Sequence, residues 1–300
     1  MMRSLFSAVS GLKSQQTAMD VIGNNVANVN TTGFKSSRVV FQDIYSQTLS
    51  AATAPTTTTG GINSKQVGLG VYTAGIGMNM SEGSTMNTSS PLDFSIAGEG
   101  FFVVDNGDGT YSYTRNGTFS LDSDGYLVDA NGRYVMGKLV DTSTDDVKNG
   151  ADVDTTSMQK IQMLGSVIDS SGTVSDTEKY TDYAVDTNGV VTATKTDSSA
   201  GTSDIVTLGR LVLATFNNSA GLEKSGDSYY SASANSGQPN YNFANYSGSG
   251  KLNSGSLEMS NVDLASELTN MIVTQRGFQA NSRVITTSDS MLEELVNLKR

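Results

Sequence analysis

The stretch that decides the fold is SNVDLASELTNMIVTQRGFQANSRVITTSDSMLEELVNLK, residues 260–299. An apolar residue recurs at every seventh position: Leu264, Met271, Phe278, Ile285 and Leu292. A companion row, Leu268, Gln275, Ser282, Asp289 and Val296, is apolar at its ends and polar in its middle. Seven-residue spacing of this kind belongs to a helix that seats a seam on another helix. SNVD reads as a capping box, with Ser260 as the cap and Asp263 favouring the positive end of the helix. A continuous helix from there to Lys299 is about 55–60 Å long. Gly277 costs about 1 kcal/mol relative to alanine at mid-helix, so it marks a bend or a point of close packing.

The same spacing returns at the other end of the chain. Leu5, Leu12, Met19 and Val26 are seven apart, with Met2, Val9, Gln16 and Gly23 beside them. Residues 3–29 therefore read as a second amphipathic helix of about 40 Å, ended by NTTG at 30–33. Gly33 is free to take the left-handed conformation there. A core helix of an ordinary domain is the plainer reading, but no further helix follows for two hundred residues. Two stripes at opposite ends predict helices that pack on each other and on copies of themselves.

Between the stripes, period-two runs and turn dipeptides replace the helical period. Residues 36–77 hold a Thr-rich, linker-like stretch and then the glycine-rich run KQVGLGVYTAGIG at 65–77. That run lacks GxGxxG and GK[ST], and no helix follows it, so a phosphate loop is excluded. Residues 92–137 alternate short β-rich runs with turns at Asn106–Gly109, Asn116–Gly117, Asp124–Gly125 and Asn131–Gly132, the pattern of an all-β domain. DSDG at 122–125 lacks the remaining calcium ligands and reads as a tight turn. YAVDTNGVVTATK around Asn188–Gly189 is a further hairpin unit, and LGRLVLATFNN at 208–218 a buried strand. A Gly/Ser linker occupies 246–257. The fold class expected is α+β: a discontinuous terminal coiled-coil domain (1–30 with 258–300), extended linkers (31–77 and 246–257) and a central β domain (78–245). Residues 138–179 form a small outer elaboration at most.

Composition narrows the chemistry. The chain contains no Cys, His or Trp. Zinc ribbons, thiol nucleophiles, disulfide frameworks and Ser-His-Asp sites are excluded. No catalytic, cofactor-binding or metal-binding residues are expected, and the acidic residues are scattered through turns rather than paired. The net charge of −11 sits in the middle, since residues 1–40 carry Arg3, Lys13, Lys35 and Arg38 against Asp20 alone. An acidic middle argues against nucleic acid as a partner. No run of eighteen apolar residues predicts a membrane span. Lys13, Gln15, Gln16 and Asp20 interrupt any cleaved-signal pattern, so export by another route is expected.

Residues 24–35, NNVANVNTTGFK, resemble the N-terminal signature of the bacterial flagellar axial proteins, the rod and hook family. The residues that carry the likeness are Asn24, Asn25, Ala27, Asn28, Thr31, Gly33, Phe34 and Lys35. The C-terminal segment, with Ser260, Asn261 and Asp263, resembles the family's other signature along its whole length. The β region is similar through Gly100-Phe101-Phe102, Tyr113-Thr114-Arg115 and Phe119-x-Leu121-Asp122. Within the family, the stretch from Asn63 to Gly70 and the capping-box helix are most like the hook protein of Gram-positive bacteria. The distal rod protein of the basal body shares the architecture.

The resemblance implies a structural subunit of the bacterial flagellum, used in motility and self-assembling into a homopolymer. The hook is a tubular universal joint that passes motor torque to the filament. Its implied partners are other axial proteins (rod, hook cap, hook–filament junction) and the flagellar type III export apparatus, and its implied location is the hook or basal body, extracellular after export. The seam implied for assembly comprises Leu5, Val9, Leu12, Met19, Val26, Leu264, Leu268, Met271, Phe278, Ile285, Leu292 and Val296. Gln275, Ser282 and Asp289 would keep that seam from sticking too firmly. Two other classes remain: a secreted coiled-coil adhesin, which calls for one undivided stalk, and a β-fold hydrolase, which calls for paired carboxylates.

Overall fold

The computed structural model describes residues 2–56, 59–139, 158–163, 165–168, 174–197 and 203–298. Two compact units emerge. The first gathers residues 1–29, 36–79 and 262–300, and the second residues 30–35 and 80–261. Helices at both ends of the chain and a β-rich middle give the α+β class.

In the first unit, helix α1 spans Met2–Ala27 and helix α2 spans Leu264–Asn297. α2 is unbroken through Gly277. A Cβ added at Gly277 would lie 3.2 Å from the Gln15 side chain, so of the two roles expected for this glycine it has the close-packing one. The capping differs from the sequence reading. The N-cap is Asp263, whose carboxylate accepts from the Ala265 amide at 3.0 Å. Ser260 does not cap, because the chain before the helix is held extended: the Met259 amide donates to the Ser84 carbonyl and the Asn261 amide to that of Phe34. Those bonds keep the backbone out of helical geometry until Leu264.

The stretch read as an extended linker, with strands only around its glycines at 65–77, is a long antiparallel ribbon. β1 (Ser37–Asp43) pairs with β4 (Val71–Met78), and further out β2 (Gln47–Ser50) pairs with β3 (Lys65–Val67). Ladder hydrogen bonds need no apolar period, so strands such as SRVVFQD and VYTAGIGM, with mostly exposed side chains and no strict alternation, escape a search for it. The ribbon is anchored on α1. The Ser10 hydroxyl accepts from the Val71 amide at 3.3 Å, and Gly70 leaves room for that hydroxyl.

The second unit begins with β5 (Thr85–Asn87), β6 (Phe94–Ala97), β7 (Phe101–Asp105) and β8 (Tyr111–Thr114), then β9 (Phe119–Leu121), β10 (Leu127–Asp129), β11 (Met136–Leu139) and β12 (Gln159–Lys160). β13 (Gly165–Ile168), β14 (Val174–Val185), β15 (Val190–Asp197) and the thirteen-residue β16 (Ser203–Thr215) follow. The last are β17 (Glu223–Gly226), β18 (Tyr229–Ser231), β19 (Asn240–Phe243), β20 (Lys251–Ser254) and β21 (Ser256–Glu258). The main sheet runs β13-β14-β15-β16-β7-β8-β18-β17, with β11 and β19 also on β16. β16 holds it together: its first half pairs with β15 and its second with β7 and β19. Phe94, Phe102, Leu127, Ile161, Met163, Leu211, Leu213 and Leu252 form the dry core. Phe102 meets Phe119 edge-on at 5.1 Å.

The expected turns at Gly125, Gly132 and Gly189 are closed by bonds from those amides to the carbonyls of Asp122, Asp129 and Asp186. Asn116–Gly117 serves otherwise. A Cβ at Gly117 would run into the Phe94 carbonyl, so this glycine allows a strand to pass close by. The Gly/Ser stretch at 246–257 contributes β20, paired with β6, and β21, paired with β5. Most of the outer elaboration expected over 138–179 lies outside the described residues.

Candidate assembly helices and a buried clasp

Asn25 donates to Glu267 at 3.0 Å, Gln15 packs on Gly277, and Gly11 packs on Asn281. Ten and then four residues down α1 match ten and then four up α2, so the helices run antiparallel. A Cβ at Gly11 would be 2.7 Å from the Asn281 amide nitrogen. Small and polar residues stand at these contacts: Gly11, Gln15 and Asn25 of α1 against Asn281, Gly277 and Glu267 of α2. Ala8, Ala18 and Ile22 are the other buried residues of α1 besides Ser14, whose hydroxyl turns to the ribbon at Val71. Thr274 and Ser288 are the buried residues of α2.

The seam residues expected from the sequence divide accordingly. Met271, Ile285 and Leu292 are half-buried, and the row that fits beside them is Glu267, Thr274, Asn281 and Ser288, one residue before the row expected. Leu264, Leu268 and Val296 are exposed, as is Phe278 in part. On α1, Leu5, Leu12, Met19 and Val26 are half-buried, and Val9 is exposed. The single chain therefore spends glycines and amide side chains on the internal contact. It leaves Ile272 58%, Val273 65% and Val296 66% accessible.

Of the signature residues, Asn25 is buried in the first unit. Its amide donates to the Ser37 carbonyl at 2.7 Å and accepts from the Ser37 amide at 3.0 Å, imitating a strand partner for β1. Asn28 donates to the Asn24 carbonyl and side chain, both at 2.9 Å, and finishes the helix. Asn24 and Asp263 also belong to the first unit, and Thr31, Gly33, Phe34, Lys35, Ser260 and Asn261 to the second. Gly33, at φ 68°, would place a Cβ 2.7 Å from the backbone between Arg115 and Asn116, and its amide donates to the Glu258 carbonyl. The Phe34 amide donates to the Thr31 carbonyl, and Lys224 lies over the Phe34 ring. The Asn261 side chain donates to the Ser81 carbonyl at 3.1 Å.

At the centre is a group that sequence reading missed. The Lys35 amine donates to Glu258 at 2.5 Å and to the Ser81 carbonyl at 2.8 Å. Arg115 donates to the other Glu258 oxygen at 3.1 Å, and to the carbonyls of Ile96 and Gly98. The Gly83 amide completes the Glu258 shell at 3.0 Å. Lys35 and Glu258 are each 1% exposed and Arg115 4%. Burial pulls the Lys35 amine below its usual range, and Glu258 opposes that pull. Lys35 stood in the N-terminal signature and Arg115 in the β-region likeness. Glu258 is a lone acid beside a linker, and nothing in the sequence pairs it with either.

The described residues hold no group of three or more potential metal-ligating side chains, and no helix is long and apolar enough to cross a membrane. Known families and proteins match along the chain. Residues 5–35 match the family described as flagella basal body rod protein, residues 95–193 the flagellar hook protein FlgE/F/G D1 domain, and residues 253–298 the flagellar basal body rod FlgEFG protein C-terminal family. The flagellar basal-body rod protein FlgG of Bacillus subtilis is 44% identical over 301 residues, covering all of both chains. The flagellar hook protein FlgE of Borreliella burgdorferi is 32% identical over 447 aligned positions, and the rod protein FlgG of that organism 36% over 301, again covering both chains fully. With its helical ends, its β-rich middle and end-to-end likeness to both kinds of subunit, the chain belongs to the flagellar hook and basal-body rod family of axial proteins.

Proposed function

We propose that the chain polymerises into the flagellar hook, as a structural subunit rather than an enzyme. The observation that carries this is the division of labour on the terminal helices. Their mutual contact uses glycine, carboxamide and carboxylate side chains at Gly11–Asn281, Gln15–Gly277 and Asn25–Glu267, while Leu264, Leu268, Ile272, Val273, Val284, Met291, Leu295 and Val296 stay exposed. An apolar surface of that extent on a helix calls for a protein cover, and copies of the same chain supply it when subunits stack into a tube. The rows flanking the internal contact form the seam, and Gln275, Ser282 and Asp289 keep it adjustable. Other axial proteins meet the ends of that tube, and the subunit reaches it through the flagellar export apparatus to a site outside the cell.

A second reading, the distal rod, is favoured by length. The relatives named as rod proteins align over 293 to 303 positions, whereas the hook relatives need 447 and 469. Immunogold electron microscopy of isolated flagella, with antibody raised against the purified chain, separates the two. Label along the short curved tube next to the filament is the expected result. Label seen only on the straight shaft, after the envelope is stripped, assigns the chain to the rod. Absence of label from both sinks the axial-subunit reading.

A further inference from the structure

The Lys35–Glu258–Arg115 clasp is a poor stabiliser by its chemistry. Two cations face one carboxylate, all three groups are at least nine-tenths buried, and the Arg115 Nε finds no acceptor among the described residues. Desolvating three charges offsets most of their attraction, and apolar replacement of such triads is often neutral or stabilising. What a charged cluster supplies and an apolar one lacks is direction. Each hydrogen bond accepts one partner at one geometry, whereas apolar contact is indifferent to sliding.

The location gives that direction a use. The chain passes between the two units after residues 29, 35, 79 and 261. The clasp and its immediate bonds hold the second-unit residues next to these crossings: Gly33 and Lys35, Ser81 and Gly83, and Glu258 and Asn261. Glu258 alone takes bonds from three segments, through Gly33 and Lys35, through Gly83, and through Arg115.

We propose that Lys35, Arg115 and Glu258 are positioning residues that fix the register of the chain where it leaves for α1, the ribbon and α2, and that assembly depends on this register while the stability of the second unit does not. The second half rests on the assembly reading above. The test is the triple variant Lys35→Met, Arg115→Met, Glu258→Leu in the full chain, beside Glu258→Gln alone. In the triple variant the thermal midpoint is expected within a few degrees of wild type, with unchanged hydrogen-exchange protection at Phe102 and Leu213. The Gly33 and Gly83 amides are expected to exchange at least tenfold faster. In cells lacking the chromosomal copy, the triple variant is expected to be secreted but to build no regular tube where wild type builds one. Normal tubes from the triple variant, or unchanged exchange at Gly33 and Gly83, overturn the proposal. So does a collapse of the midpoint together with core protection, since the clasp is then a stability element. Failure of the wild-type chain to restore a tube counts against the assembly reading instead, and the exchange result in the monomer still decides the register.

Discussion

Glu258 shows how one side chain can matter more than its sequence context announces. Removing its charge while keeping its size leaves Lys35 and Arg115 buried and facing each other without a counter-ion. Glu258→Gln is therefore expected to cost about 3–5 kcal/mol, measured by urea unfolding at neutral pH. Lys35→Met is expected to cost far less, because Arg115 still neutralises the carboxylate. Tyr230 is shifted in the opposite direction to Lys35. Burial beneath Phe101 and beside the clasp pushes Tyr230 up to about 12 from 10.0. A raised folded value means that the stability this group contributes is complete below pH 10 and is lost as pH rises from 10 through 12. Tyr230→Phe is expected to flatten that alkaline decline by up to about 3 kcal/mol. Unfolding midpoints of both chains between pH 8 and 12 check it, and parallel curves would refute it.

At the level of elements, the contacts that pattern cannot reveal are polar ones. The apolar row of α2 was legible at Met271, Ile285 and Leu292, because burying a large side chain leaves a period in the sequence. Its neighbour Thr274-Asn281-Ser288 was not, since small polar residues serve equally on a tight helix contact and on a wet face. The ribbon of β1 to β4 was hidden for the same reason: its strands are held by backbone ladders over exposed side chains. The glycine-marked hairpins, by contrast, were readable, because a φ above zero restricts the residue type. Asn25 is the sharpest case at this scale. It lies in the last turn of α1, where its side chain does not cap the helix but bonds Ser37 twice and Glu267 once. Asn25→Ala removes both side-chain hydrogen bonds to the half-buried Ser37 backbone and is expected to destabilise the first unit by about 1–3 kcal/mol. Hydrogen exchange should report it as faster exchange along β1, with the core of the second unit unaffected.

For the whole molecule, the balance between internal and external contacts sets what happens before assembly. α2 is a thirty-four-residue helix, and a helix of that length held along one face by Thr274, Gly277, Asn281 and Ser288 has little apolar burial to resist opening. Local opening of such an element is expected to lie far below the global unfolding energy, whereas the second unit has a dry core of large side chains. Arg276 and Arg283, both on exposed turns of α2, should then be the early tryptic sites of the monomer, ahead of Arg115 and Arg210, which are buried in the β unit. On the assembly proposed above, copies would cover the exposed rows and hold the helix closed, so the same two sites should become resistant by at least tenfold in cleavage rate. Digestion of monomer and isolated tubes in parallel, read by mass spectrometry, makes the comparison. Equal rates in both states would mean that the terminal helices are as firmly held alone as in company, and that their exposed rows are not what assembly covers.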